Sequence, residues 1–220
     1  MPGLVVLLVF TQAVGVTMGF IQKFVLPREV DLAAALQAQT LATRNVVHDL
    51  YDACILGEEE AFRAINNDTR ETRIIKENNM KELLDVFIAP YDKESIFRII
   101  TQLDWIALSV KHFVVEVNAY QEKQRLDDYR NIFELLKEMA NLLEDGFKQL
   151  SRKEVPAIAL IHDKYDLVVE YRAQHVAQLL QQEDCKHIII HKDILAQLKE
   201  IAKRMHVTAN TLEDMAIKIL

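Results

Sequence analysis

The sequence predicts an all-α fold, and three observations carry that expectation. After Pro27 only Gly57, Pro90, Gly146 and Pro156 remain of the residues that punctuate helices. Alternation of apolar and polar residues at period two is nearly absent, which leaves little room for a sheet. Apolar residues instead recur at three-and-four spacing over long stretches, the signature of amphipathic helices.

The elements follow in order. A first helix is expected from about Val30 to Leu56, stopped at Gly57. The second runs from Glu58 to Val86 and opens on Glu58-Glu59-Glu60, where acids complement the helix dipole. Pro90 cannot continue a helix and pushes Ala89 out of the α region. Asp92 is placed to N-cap the third helix, Asp92 to Tyr120, with Glu94 and Ser95 in its first turn. In that helix Ile96, Ile99, Ile100, Leu103, Ile106, Val110, Phe113, Val114 and Val117 make one broad apolar face. The second half repeats the count, with helices from Arg125 to Leu150, Glu154 to Gln182, and Lys192 to the C-terminus. The sixth repeats the apolar face with Ile194, Leu195, Leu198, Ile201, Met205, Ala209, Leu212 and Met215. Periodicity does not place Cys185 to His191, with its three consecutive isoleucines, and a buried connection is expected there.

Short connections force neighbouring helices antiparallel, so six long helices read as two tandem three-helix bundles. Gln102-Leu103 followed by Ile106 recurs as Gln197-Leu198 followed by Ile201, each on the third helix of its half. The halves are expected at about 28–120 and 121–220 within one helical domain that begins at residue 18.

Residues 1–22 carry no charge, and Leu4 to Phe10 is strongly apolar. A transmembrane helix needs about 20 predominantly apolar residues, which this segment just reaches. A signal peptide would need a basic opening that is missing. The preferred reading is a natural start at Met18, with residues 1–17 an apolar extension; a membrane anchor is the alternative.

Composition narrows the function classes. Of 220 residues 50% are hydrophobic and 27% charged, enough for a substantial core. The net charge of -7, with basic residues dispersed among acids, argues against nucleic-acid binding. Cys54 and Cys185 fall in no metal-like or redox-like spacing, as expected of reduced thiols in a cytosolic protein.

The stretch Phe87-Ile88-Ala89-Pro90-Tyr91-Asp92-Lys93-Glu94-Ser95-Ile96, followed by Leu103-Asp104, resembles the F-[IV]-T-P-[FIY]-D-[RK]-E-D-I connection of the PhoU-like proteins, with Pro90, Asp92 and Glu94 as its signature positions. It is closer to the branch that accompanies low-affinity phosphate permeases, the Pit accessory proteins. Met18 to Arg28 resembles that branch's short apolar opening ending in Pro plus a basic residue, and Ala209-Asn210-Thr211-Leu212-Glu213-Asp214 is similar to its closing A-[ND]-x-[LI]-E-D element. The resemblance implies tandem three-helix bundles and a cytoplasmic regulator docked on the inner face of the membrane against a phosphate permease.

Some PhoU-like proteins hold iron or zinc through E/D-x-x-x-D pairs, a spacing that puts two carboxylates on one helix face. In this chain those positions are eroded. On the second helix they fall at Thr69 and Arg73, with Asp68 and Glu71 nearby. On the third, Asp104 is kept, but its i+4 position is Leu108 and Trp105 replaces a commonly acidic neighbour. On the sixth they fall at Lys199 and Lys203, and a lysine supplies charge but no lone pair. The fifth helix retains His162, Asp166 and Glu170 at i+4 steps. A residual divalent, iron or zinc site at His162 and Asp166, helped by Asp104 or Asp68, is one expectation. A solvated polar stripe is the plainer one and is favoured, because such pairs are ordinary on helix surfaces. Trp105 likewise reads as core edge before partner groove, and His48, Asp49 and Asp52 as a wet face.

The motifs G-x-S-x-G, H-E-x-x-H, G-x-G-x-x-G, the Walker loop and the di-metal E-x-x-H are all missing, so no enzyme and no firm cofactor are expected. The function expected is regulation of inorganic phosphate transport by docking on a permease, with homo-oligomers an open question. The alternatives are a metal-binding bundle unrelated to phosphate transport and a membrane-anchored adaptor.

Overall fold

A computed structural model of the chain describes residues 31–120 and 123–218. The apolar extension 1–17 and the Met18 to Arg28 opening lie outside the described residues. Six long helices follow one another: α1 (Leu32–Tyr51), α2 (Glu59–Asp85), α3 (Lys93–Tyr120), α4 (Arg130–Ser151), α5 (Ala159–Leu179) and α6 (Cys185–Ile217). No strand occurs among the described residues.

Their ends have local causes. Asp31 caps α1 by accepting from the Ala34 N–H at 2.9 Å. The helix widens into a π turn over Asp52–Leu56 and stops at Gly57, whose φ of 74° is the left-handed value glycine adopts without strain. Before α3, Asp92 Oδ2 accepts from the Ser95 N–H and hydroxyl at 3.1 and 2.8 Å, the cap expected from the sequence.

The second half departs from the expected boundaries. A 3₁₀ segment, Lys123–Tyr129, precedes α4, which therefore starts at Arg130 and not at Arg125. After α4 the chain turns through Lys153, at a left-handed φ of 60°, and Pro156 holds off the start of α5 until Ala159. The stretch from Cys185 to His191 is not a connection, and only His191 in it is buried. Asp184 caps it by accepting from the N–H groups of Lys186 and His187, so α6 begins at Cys185. Three consecutive isoleucines span most of a helical turn, which is why no periodicity marked them. Ile189 is 69% exposed.

α1, α2 and α3 pack pairwise into one bundle, and α4, α5 and α6 into another. The bundles join along two seams, α1 against α4 and α3 against α6. Every apolar residue named above for the third and sixth helices is buried. One core runs through both bundles, with Phe113 of α3 meeting Phe133 of α4 edge to face at 5.9 Å. Polar contacts lace the seams: Arg44 Nε donates to Asn141 Oδ1 at 2.8 Å and pairs with Glu144 at 3.1 Å, while the Tyr120 hydroxyl donates to Asp193 at 2.8 Å. Inside the first bundle the fully buried Gln39 donates to the Ile100 carbonyl and accepts from Asn79 Nδ2, tying α1 to α3 and α2.

Candidate functional site

The acids of the first bundle are engaged by neighbours the sequence does not reveal. Asp104 Oδ2 accepts from Lys76 Nζ of α2 at 2.6 Å, with the carboxylate side chain only 13% exposed. Its i+4 position, Leu108, has no ligand to offer. Asp68 lies against Asp49 of α1, whose Oδ2 is buried without a hydrogen-bond partner. Burial first, then the hydrogen bond to and charge of Asp68, then Asp52, push the Asp49 carboxyl up to about 7. Two carboxyls this close share a proton better than they share two negative charges. The wet face expected at Asp49 is thus half-buried.

In the second bundle His162 of α5 meets His206 of α6. Their Nδ1 atoms are 3.0 Å apart, and the rings stand edge to face at 4.5 Å. Tyr165 lies 4.6 Å from the His206 ring. A 3.0 Å contact between ring nitrogens needs one protonated nitrogen and one lone pair. Burial, then the His162 charge, lower the His206 pKa below 6.5, against the opposing pull of Asp166, which is itself exposed. Asp68 and Asp104 stay in the first bundle and His162 and Asp166 in the second. Among the described residues no three of His, Cys, Asp and Glu converge on a common point that could hold an ion.

Several large apolar side chains are exposed. Leu84 in the last turn of α2 and Phe87 and Ile88 in the α2–α3 connection are more than 80% exposed, close to the signature positions Pro90 and Asp92 and to Glu94 in the first turn of α3. Pro90 is exposed, Glu94 pairs with Arg98, and Lys218 Nζ reaches Asp92 at 3.2 Å, tying the connection to the end of α6. Patches of this kind on a protein surface mark interaction sites.

Along the α3–α6 seam runs a groove of about 420 Å³ lined by Phe97, Arg98, Gln102, Trp105, Lys203 and Val207, with Arg204 beside them. Trp105 is 50% exposed, and the Arg204 guanidinium stacks over its ring at 4.6 Å. Trp105 thus stands half-exposed at the rim of an open groove, beside the core face of α3. Phe97, Thr101 and Trp105 are spaced four apart, a second stripe on α3 outside the core face. That spacing was legible in the sequence; its continuation by Lys203 and Val207 of α6 was not.

No family model matches the chain, and no curated protein does. Solved structures do, among them two from Shewanella oneidensis MR-1. A PhoU-like protein superposes with a TM-score of 0.67 at 14% identity, over 84% of this chain and 99% of its own. A PhoU-like phosphate regulatory protein superposes with a TM-score of 0.68, also at 14% identity, over 86% of this chain and 100% of its own. Identity this low speaks to fold alone. The six helices of the described residues, in two pairwise-packed bundles, and the superposition on both structures make this an all-α protein of the PhoU-like fold.

Proposed function

We propose that this protein regulates inorganic phosphate transport by docking on a phosphate permease at the inner face of the membrane, and that it catalyses no reaction. The observation that carries the reading is the PhoU-like fold, shared over 86% of this chain with a protein described as a PhoU-like phosphate regulatory protein. The surface supports it. The decapeptide that resembles the permease-accessory signature opens on the exposed Phe87 and Ile88, next to the exposed Leu84 in the last turn of α2, and apolar side chains held out between two helices suit contact with another protein. No described helix is long and apolar enough to cross a membrane, so contact through the described residues is made by their surface. An ion at His162 would have to displace His206, and one at Asp104 would have to displace Lys76.

The test is affinity purification of the tagged protein from detergent-solubilised membranes of its host, with mass spectrometry and metal analysis of one eluate. Labelled-phosphate uptake is then compared in cells with and without the gene. Recovery of a phosphate permease, together with altered uptake, is expected. Near-stoichiometric iron or zinc with no transporter would replace this reading with a metal-binding bundle.

A further inference from the structure

The α5–α6 hairpin and the end of α3 border a second pocket. Arg172 of α5 and Lys192 of α6 each stand ten residues from Gln182 in the turn, so antiparallel packing sets them opposite one another. Both line a pocket of about 420 Å³, together with Tyr120 from the last turn of α3. Neither side chain has a hydrogen-bond or ion-pair partner among the described residues.

Arg172 is half-buried, and its Nε is closed off from solvent. The two terminal nitrogens are not closed off, so a ligand meets the outer edge of the guanidinium, which takes two oxygens of one anion at once. Lys192 is exposed and supplies a second charge. Asp193, the carboxylate in the lining, accepts from the Tyr120 hydroxyl at 2.8 Å and from Gln197 Nε2 at 3.2 Å, and forms no ion pair with Arg172 or Lys192. The Tyr120 proton is thereby committed, which leaves the two cations as the donors a ligand can use. Ile189, 69% exposed, and Ile190 add an apolar wall.

Two cations ask for about two negative charges on one group. A phosphate monoester carries about -1.5 to -2 at pH 7 and presents three acceptor oxygens, enough for both prongs of Arg172 and for the ammonium. A monocarboxylate leaves one cation unmatched. The volume asks for more than a bare ion, since pockets of about 300–1,000 Å³ seat organic molecules, and the isoleucines contribute only where an apolar body covers them. The chain's net charge of -7 disfavours a polyanion such as nucleic acid.

We propose that this pocket binds an organic phosphate monoester, with its phosphoryl oxygens on Arg172 and Lys192 and its organic body along Ile189 and Ile190. α3 has 28 residues, so about 40 Å of helix separates Tyr120 from the α2–α3 connection, and the inference does not rest on the docking reading.

The probe is phenyl phosphate, titrated calorimetrically into the full-length protein at fixed salt, with phenol, glutarate and inorganic phosphate beside it. Phenyl phosphate is expected to bind saturably below about 1 mM, phenol not at all, and glutarate and inorganic phosphate roughly tenfold more weakly. Arg172→Gln and Lys192→Gln each weaken phenyl phosphate roughly tenfold and Ile189→Ser about fivefold, while Lys81→Gln on the exposed surface of α2 binds like wild type. Lys192 and Ile189 are exposed, so their variants keep the fold, which circular dichroism checks. Flotation with phosphatidylcholine vesicles that contain phosphatidic acid, lost in the two cation variants, would make the phosphoryl source a lipid headgroup; phenyl phosphate binding without flotation makes it a soluble ester. The proposal is overturned by no saturable binding of phenyl phosphate, by affinity unchanged in both Arg172→Gln and Lys192→Gln, or by glutarate or inorganic phosphate binding as tightly as the ester.

Discussion

Asp49 and His206 look like ordinary helix-surface residues in the sequence, yet each is set by a residue from another helix. Asp49 holds its proton up to about 7, against an ordinary 3.8, because burial and Asp68 disfavour its charge. Between those two values the folded protein keeps a proton that the unfolded chain releases, so this group's contribution to stability falls as pH rises through that window. Asp49→Asn is therefore expected to raise the thermal midpoint at pH 8 relative to wild type and to flatten its decline between pH 5 and 8, as scanning calorimetry would show. A midpoint lowered at pH 8 would mean that the ionised carboxylate has a favourable partner. For His206 the directions are separable: burial and His162 lower its pKa and Asp166 raises it. Asp166→Asn should move the His206 titration midpoint, followed by NMR of the ring protons, further down from 6.5, and an upward shift would count against the contact.

Helix existence was legible because each helix supplies its own period, whereas helix ends depended on local chemistry of uneven visibility. Asp92 announced itself as a cap next to Pro90, and its bonds to Ser95 are those expected. Asp184 did the same work unseen, since Ile188, Ile189 and Ile190 hid the period behind it. Gly146 was legible only as a break, but it lies within α4, where it lets α6 come close. A Cβ there would sit 2.9 Å from Leu212 Cδ2. Gly146→Val is expected to destabilise the protein by roughly 1–3 kcal/mol through overpacking. Gly146→Ala should change it little, because a gain of about 1 kcal/mol in helix propensity opposes the shift asked of one leucine side chain. Denaturant melts of the pair distinguish a packing constraint from simple helix propensity; equal stabilisation of both variants would remove the constraint.

At the scale of the whole molecule, two bundles share one core, and the α1–α4 and α3–α6 seams leave neither with a closed surface of its own. Phe113, fully buried against Phe133 of the other bundle, tests that unity. Phe113→Ala should cost about 3–5 kcal/mol and preserve a single transition. Hydrogen exchange should then show protection falling in both bundles together, and loss confined to α1–α3 would show that they unfold separately. The sequence by itself determined the helical class, the six long helices of the described residues, the core faces of α3 and α6 and the turn at Pro90, because period, breakers and caps act between residues near in the chain. Only the tertiary structure decided that Asp104 goes to Lys76, that Asp49 faces Asp68 and His162 faces His206, and that Trp105 borders an open groove. Those pairings join residues on different helices, and their distances depend on how the helices pack, which no local spacing encodes.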